Sequence, residues 1–198
     1  MSKYIKFSSE RAAPEITSFS RLPELNAHRQ KLLQLGLISV DSNGIGFGNL
    51  SIRDGATDNF YITGSATGGI PELALVDCAK VVACDFERNQ VQYEGSALPS
   101  SESLSHAAIY KSDATAGAVI HCHDFELWAT ALNRAPTTSK AAAYGTPEMA
   151  NEIMQLFTGT DVPKIVVMAG HEGGILTLGK NLEDAFGVLV RERKKISH

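Results

Sequence analysis

Leu22, Leu25, Leu32, Leu33 and Leu35 recur near the helical period of 3.6. They predict a helix over about 22–37, stopped at Gly36. Before it, residues 1–20 carry no such period and read as a loose arm. Beyond it the pattern changes to short apolar runs. Leu50 to Arg53 and Asn59 to Thr63 predict strands, each beside a glycine-rich segment (Asp41–Asn49 and Gly64–Gly69). Val81 to Phe86 and Gln90 to Tyr93 flank Glu87, Arg88 and Asn89, a hairpin signal. Ala116 to Cys122, Ile165 to Met168 and Ile175 to Leu178 are further apolar strands. Helices are predicted over about 101–111, 125–132, 147–157 and 181–195.

Short strands placed among helices predict a layered α/β sandwich whose sheet is mostly antiparallel. With 198 residues, of which 43% are apolar, the chain is long enough to bury a core without staples. Residues 21–198 therefore read as a single domain behind the arm.

Charge and cysteine narrow the function classes. A net charge of -4 disfavours nucleic acid, which needs clustered cations. The dense basic run Arg191–Lys195 reads as a solvated last helical turn. Three cysteines (Cys78, Cys84, Cys122) are too few and too unevenly spaced for a disulfide framework. A reduced, cytoplasmic setting is the expectation. The polar N-terminus lacks the apolar stretch of a signal peptide, and no run approaches a membrane span.

The chemistry concentrates on three histidines. His121 and His123 end an apolar strand at i and i+2, the spacing that points both imidazoles to one face. His171 follows a second apolar strand. If the two strands are neighbours, three nitrogens converge and leave an open position, the pattern of a catalytic zinc site. Nitrogen donors suit zinc, cobalt, nickel or iron over magnesium and calcium. The competing reading is three separate packing or hydrogen-bonding histidines. Cys122 points to the opposite face and reads as core. His106 reads as a structural hydrogen-bonder, and His28 and His198 as surface residues.

Glu102 is placed in the first turn of its helix, after Ser100 and Ser101. That is ordinary helix-start chemistry, and the same geometry offers an acid/base carboxylate beside donors for an anion. The loops holding Gly48, Asn49, Thr67 and Gly68 can present backbone N–H groups to a phosphate or carboxylate. They contain no lysine or arginine, and by themselves tight turns are the simpler explanation for them.

Taken in order, these segments resemble the class II aldolase/adducin family from about Leu22 to Phe186. FGNLSIR resembles its SGN-[LV]-S-x-R loop, and Tyr61 through Gly68 its ITPTG loop. Leu98 to Tyr110 resembles its PSSE helix, Ala118 to His123 its AVVHxH strand, and GHEGGILTLGKNLEDAF its HG segment. The resemblance implies a three-layer α/β/α sandwich assembled as a homotetramer and working in carbohydrate metabolism. It assigns His121, His123 and His171 to zinc, with Co2+, Ni2+, Fe2+ or Mn2+ as substitutes. Glu102 becomes the acid/base carboxylate, which can also touch the metal. Gly48, Asn49, Thr67, Gly68, Ser100 and Ser101 become the substrate or phosphate pocket. The implied activity is a metal-dependent lyase of aldolase type, acting through an enediolate on a small hydroxy-carbonyl compound or sugar phosphate. A dehydratase, decarboxylase or epimerase on the same scaffold, or a non-catalytic adducin-like module, is the alternative.

The sequence departs from that pattern at several places. Gly46 stands where the family aldolases carry a threonine. The second loop, ITGSATGG, is one residue longer. Only 20 residues separate His123 from Tyr144, whereas the aldolases hold there a tyrosine that protonates the departing carbon. The tail RERKKISH lacks their terminal tyrosine, and Glu172 follows His171 in place of glycine.

Overall fold

The structure is a computed structural model, described here for residues 5–159 and 162–196. In chain order the elements are β1 (Ser8–Ala13), α1 (Leu22–Gln34), β2 (Ser39–Val40), β3 (Gly46–Phe47), β4 (Asn49–Arg53), β5 (Phe60–Thr63), β6 (Cys78–Asp85) and β7 (Gln90–Glu94). Then follow α2 (Ser103–Ser112), β8 (Ala118–His123), α3 (Phe125–Ala131), α4 (Pro147–Leu156), β9 (Ile165–Val167), β10 (Gly174–Gly179) and α5 (Leu182–Ile196). An eight-stranded sheet runs in the order β1-β7-β6-β5-β4-β8-β10-β9, and β2 pairs with β3 alone. Every pair in the large sheet is antiparallel except β1 with β7.

Period-2 alternation sorts the core into two layers. In β8, Val119 faces one cluster with Phe60, Leu104, Ile109 and Met149, which brings in α2 and α4. Ala118, Ile120 and Cys122 face a second cluster with Leu25, Leu32 and Leu189, which brings in α1 and α5. Helices thus cover both faces, giving the expected α/β/α sandwich. Cys122 is core, as its parity predicts.

Strand β4 is buried throughout yet alternates in chemistry. Leu50 and Ile52 join the second cluster, while Asn49, Ser51 and Arg53 share the face toward α2. Ser51 Oγ lies 2.7 Å from both His106 Nδ1 and Tyr110 Oη. The Arg53 guanidinium donates to the carbonyls of Tyr110, Asp113 and Ala116. This polar seam pins α2 across the sheet and fixes where its first residues lie. His106 is the hydrogen-bonder expected, fully buried. Side-chain caps set the starts of α3 and α4: Asp124 accepts from Leu127 N and Thr146 from Met149 N.

Several expectations are corrected. Residues 8–13, read as loose arm, form the edge strand β1. Part of the first glycine loop folds as the β2–β3 pair. His28, expected at the surface, is buried where α5 packs on α1, with Nδ1 2.9 Å from Glu24 O and Nε2 3.0 Å from Glu183 Oε2. His198 lies outside the described residues. No helix among the described residues is long and apolar enough to cross a membrane.

Candidate metal centre and its cavity

Strand β10 pairs with β8 so that Gly174 stands opposite His123 and Leu176 opposite His121. The turn entering β10 therefore passes over the end of β8, and His171 sits on that turn. Two short bonds shape it, His171 N to Met168 O at 3.0 Å and Gly174 N to His171 O at 2.7 Å. Gly170 leaves room for the chain behind, since a side chain there would run into Ala142 O.

One ring nitrogen each of His121, His123 and His171 lies within 4.8 Å of the others, and His123 Nε2 is 3.0 Å from His171 Nε2. Tetrahedral zinc bonds of about 2.0–2.1 Å separate ligand nitrogens by about 3.3 Å, so the cluster is near the spacing an ion needs. His121 Nδ1 lies 3.2 Å from Ile175 O. A carbonyl only accepts, so Nδ1 carries the proton and Nε2 is left to ligate. Burial lowers all three imidazoles: His123 to about 4, His171 to about 3, and His121 well below its ordinary value. Neutral imidazole is the form that binds a metal. These residues fit a divalent ion with an open coordination position.

Glu102 stands just outside α2, at its N-cap position rather than in the first turn. Its Oε2 accepts from Ser105 Oγ at 2.7 Å. Its Oε1 is buried and has no partner among the described residues. Desolvation raises the carboxyl to about 7, against the lowering effects of Ser105 and Lys6. Asn49 Oδ1 is the second orphaned oxygen here. Ser100 Oγ accepts from Glu102 N at 3.4 Å.

All ten residues singled out from the sequence line one cavity of about 540 Å³: the three histidines, Glu102, Gly48, Asn49, Thr67, Gly68, Ser100 and Ser101. That volume suits a small molecule. Phe47, Phe125 and Tyr144 complete the walls with aromatic surface. The Tyr144 and His171 ring centroids are 4.7 Å apart.

The two glycine loops meet backbone to backbone. A Cβ at Gly46 would lie 2.7 Å from Gly68 N and 3.0 Å from Ala66 C. The extra length of the second loop thus occupies the space a threonine side chain would take at position 46. The loop holds Ala66 at a φ of 63°, a left-handed conformation costly for any residue with a Cβ. Arg29, fully buried, braces it from behind by donating to Thr67 O at 2.7 Å and to Ile70 O. The Thr67 hydroxyl donates to Gly64 O, so its proton is already used.

Sequence reading missed Arg29, Ser105, Phe47 and Ala66. Arg29 lies on the first helix, where a lone arginine resembles any solvated charge. Phe47, Ala66 and Ser105 sat inside segments already singled out, but apolar or small side chains there gave no chemical signal of their own.

Comparison with known proteins agrees with this fold. An L-fuculose 1-phosphate aldolase superimposes with a TM-score of 0.70 at 27% identity, over 91% of this chain and 84% of the other. The L-fuculose-1-phosphate aldolase of Thermus thermophilus gives 0.65 at 20%, over 90% and 92%. YgbL of Escherichia coli, a candidate aldolase/epimerase/decarboxylase, gives 0.68 at 17%, over 90% and 87%. The model of the Class II Aldolase and Adducin N-terminal domain matches residues 41–191, and the chain belongs to this family.

Proposed function

We propose that the protein is a divalent-metal-dependent lyase acting on a small hydroxy-carbonyl compound, with carbon–carbon cleavage as its first-choice reaction. The observation that carries this reading is the convergence of three neutral imidazoles and a buried carboxylate with an orphaned oxygen on one cavity. A scaffold gains nothing from such a cluster, because each buried polar group without a partner costs stability.

His121, His123 and His171 hold the ion, for which zinc suits the donor set best. Bound there, it supplies Lewis-acid polarisation of a carbonyl and offsets negative charge developing on the substrate. Glu102 moves the proton. Ser105 fixes Oε2 and so aims Oε1, and burial brings the group near neutral pH, where acid/base transfer works best. Asn49 Oδ1 accepts from a substrate hydroxyl. Backbone N–H groups at Gly48, Thr67 and Gly68, with the hydroxyls of Ser100 and Ser101, receive the far end of the molecule. Phe47, Phe125 and Tyr144 limit water. The tight packing of Gly46 against the second loop reshapes the far wall, which sets the fate of the substrate once its proton is removed. That favours keeping decarboxylase, dehydratase and epimerase outcomes in view.

The test is a panel of sugar phosphates, ketoses and hydroxy acids offered to the metal-loaded protein, with aldehyde, keto acid and carbon dioxide monitored together. Turnover of one hydroxy-carbonyl class, lost on chelation, supports the reading. Metal-loaded protein inert across the panel favours an adducin-like binding module. The family resemblance also implies a cytoplasmic homotetramer, and sedimentation of the purified protein checks that assembly.

A further inference from the structure

The lining of the cavity has an uneven charge. Asp41, Glu102 and Glu172 contribute carboxylates, and no lysine or arginine lines it among the described residues. A substrate with an anionic end needs a cation from elsewhere, and the N-terminal segment brings one to the rim. Lys6 lies two residues before the start of β1 at Ser8. Its carbonyl accepts from Asn89 Nδ2 at 2.7 Å, and Ser8 N donates to Asn89 O at 2.9 Å. Phe7 is buried in the core beside it. The β6–β7 turn therefore straps the backbone of Lys6 in place, while its side chain remains exposed.

That side chain lies over a wall of the cavity. Lys6 Nζ is 3.7 Å from the centroid of the Tyr144 ring, and the same ring packs on His171. The next residue ties in the anion pocket: a Cβ at Gly145 would lie 2.7 Å from Ser101 O and 4.0 Å from Lys6 Cβ. Lys6, Tyr144, Gly145 and Ser101 thus form one continuous piece of the rim.

We propose that Lys6 is the specificity-determining cation of this site, pairing with a carboxylate or phosphate at the end of the substrate that lies toward Ser101 and Tyr144. This deepens the lyase reading and rests on it for the identity of the reacting end. The field of Lys6 already reaches the interior, since it opposes the upward shift of Glu102 and adds to the downward shift of His171. An ammonium on the strapped arm also replaces the cation that neither glycine loop contains.

The experiment compares three probes with one hydroxymethyl-ketone head: dihydroxyacetone, hydroxypyruvate and dihydroxyacetone phosphate. Dissociation constants are measured by calorimetry on the zinc-loaded full chain, for the natural protein, Lys6→Met and Lys6→Arg. Lys6→Met is expected to weaken at least one anionic probe about three- to tenfold, the effect of one partly exposed charge pair. It should leave dihydroxyacetone within about twofold, and Lys6→Arg should retain most of the anion affinity. Which anion responds decides between carboxylate and phosphate. Equal weakening of all three probes, or no change for either anion, overturns the proposal, as does failure of the natural protein to bind either anion. Because binding is read without turnover, an inert substrate panel combined with Lys6-dependent anion binding would defeat the lyase reading alone.

Discussion

His123 Nε2 and His171 Nε2 lie 3.0 Å apart although 48 positions separate them in the chain. At that distance one neutral imidazole donates to the other, and a metal ion between them replaces one hydrogen bond with two ligand bonds. Replacing His171 with alanine removes one of three nitrogen donors and leaves His123 without its partner. Metal affinity should fall well over tenfold, read by competition with a chromophoric chelator. An unchanged affinity would remove His171 from the ligand set.

Glu102→Gln keeps the shape of the side chain and can still accept from Ser105. Metal content should stay near that of the natural protein while turnover on any substrate found falls at least about a hundredfold, the scale of general acid–base catalysis. Normal turnover would show that Glu102 moves no proton.

Gly46→Ala places a methyl group 2.7 Å from Gly68 N. The second loop must shift, at a cost of about 1–3 kcal/mol, seen as a lower midpoint in thermal unfolding. Ala66→Gly relieves the left-handed backbone and should be neutral to stabilising by about 1 kcal/mol. Gly159→Ala, with open space around it, serves as the control and should stay within about 0.5 kcal/mol. The idea that the two loops are packed against each other fails if Gly46→Ala behaves like the control.

Burial lowers His106 to about 3. Its folded value lies below the ordinary 6.5, so between those two the unfolded chain binds a proton that the native state refuses. Stability is therefore complete above about pH 6.5 and declines as pH falls toward 3. The metal-free site histidines act in the same direction, and Glu102, raised rather than lowered, opposes them. Metal-free protein should lose thermal stability from pH 7 to pH 5. Asn at position 106 can still bond Ser51 and should flatten that slope by up to one proton's worth. An identical slope in His106→Asn would mean the imidazole titrates in the folded state as it does in the unfolded chain.

Sequence periodicity revealed much of the fold, because strands β4, β8 and β10 are buried on both faces and helices α4 and α5 are amphipathic. The i, i+2 spacing of His121 and His123 carried half of the candidate centre. Its other half needed strand order, which no local pattern encodes. Strand β1 escaped notice because its side chains are almost all exposed, so SSERAA shows no alternation, and its pairing to β7 is parallel and distant in sequence. Lys6 was hidden with it. His28 looked like a surface residue because the sequence does not show that α5 covers that face of α1. The glycine at position 46 read only as a departure from the family's threonine, whereas the structure shows a close approach between two loops.

The most direct test of the three-histidine centre is X-ray absorption at the zinc edge on untagged, zinc-loaded protein. Three imidazole nitrogens at about 2.0–2.1 Å with one or two further oxygen donors is the predicted shell. Fewer than two imidazoles, or a shell of oxygens alone, would contradict it.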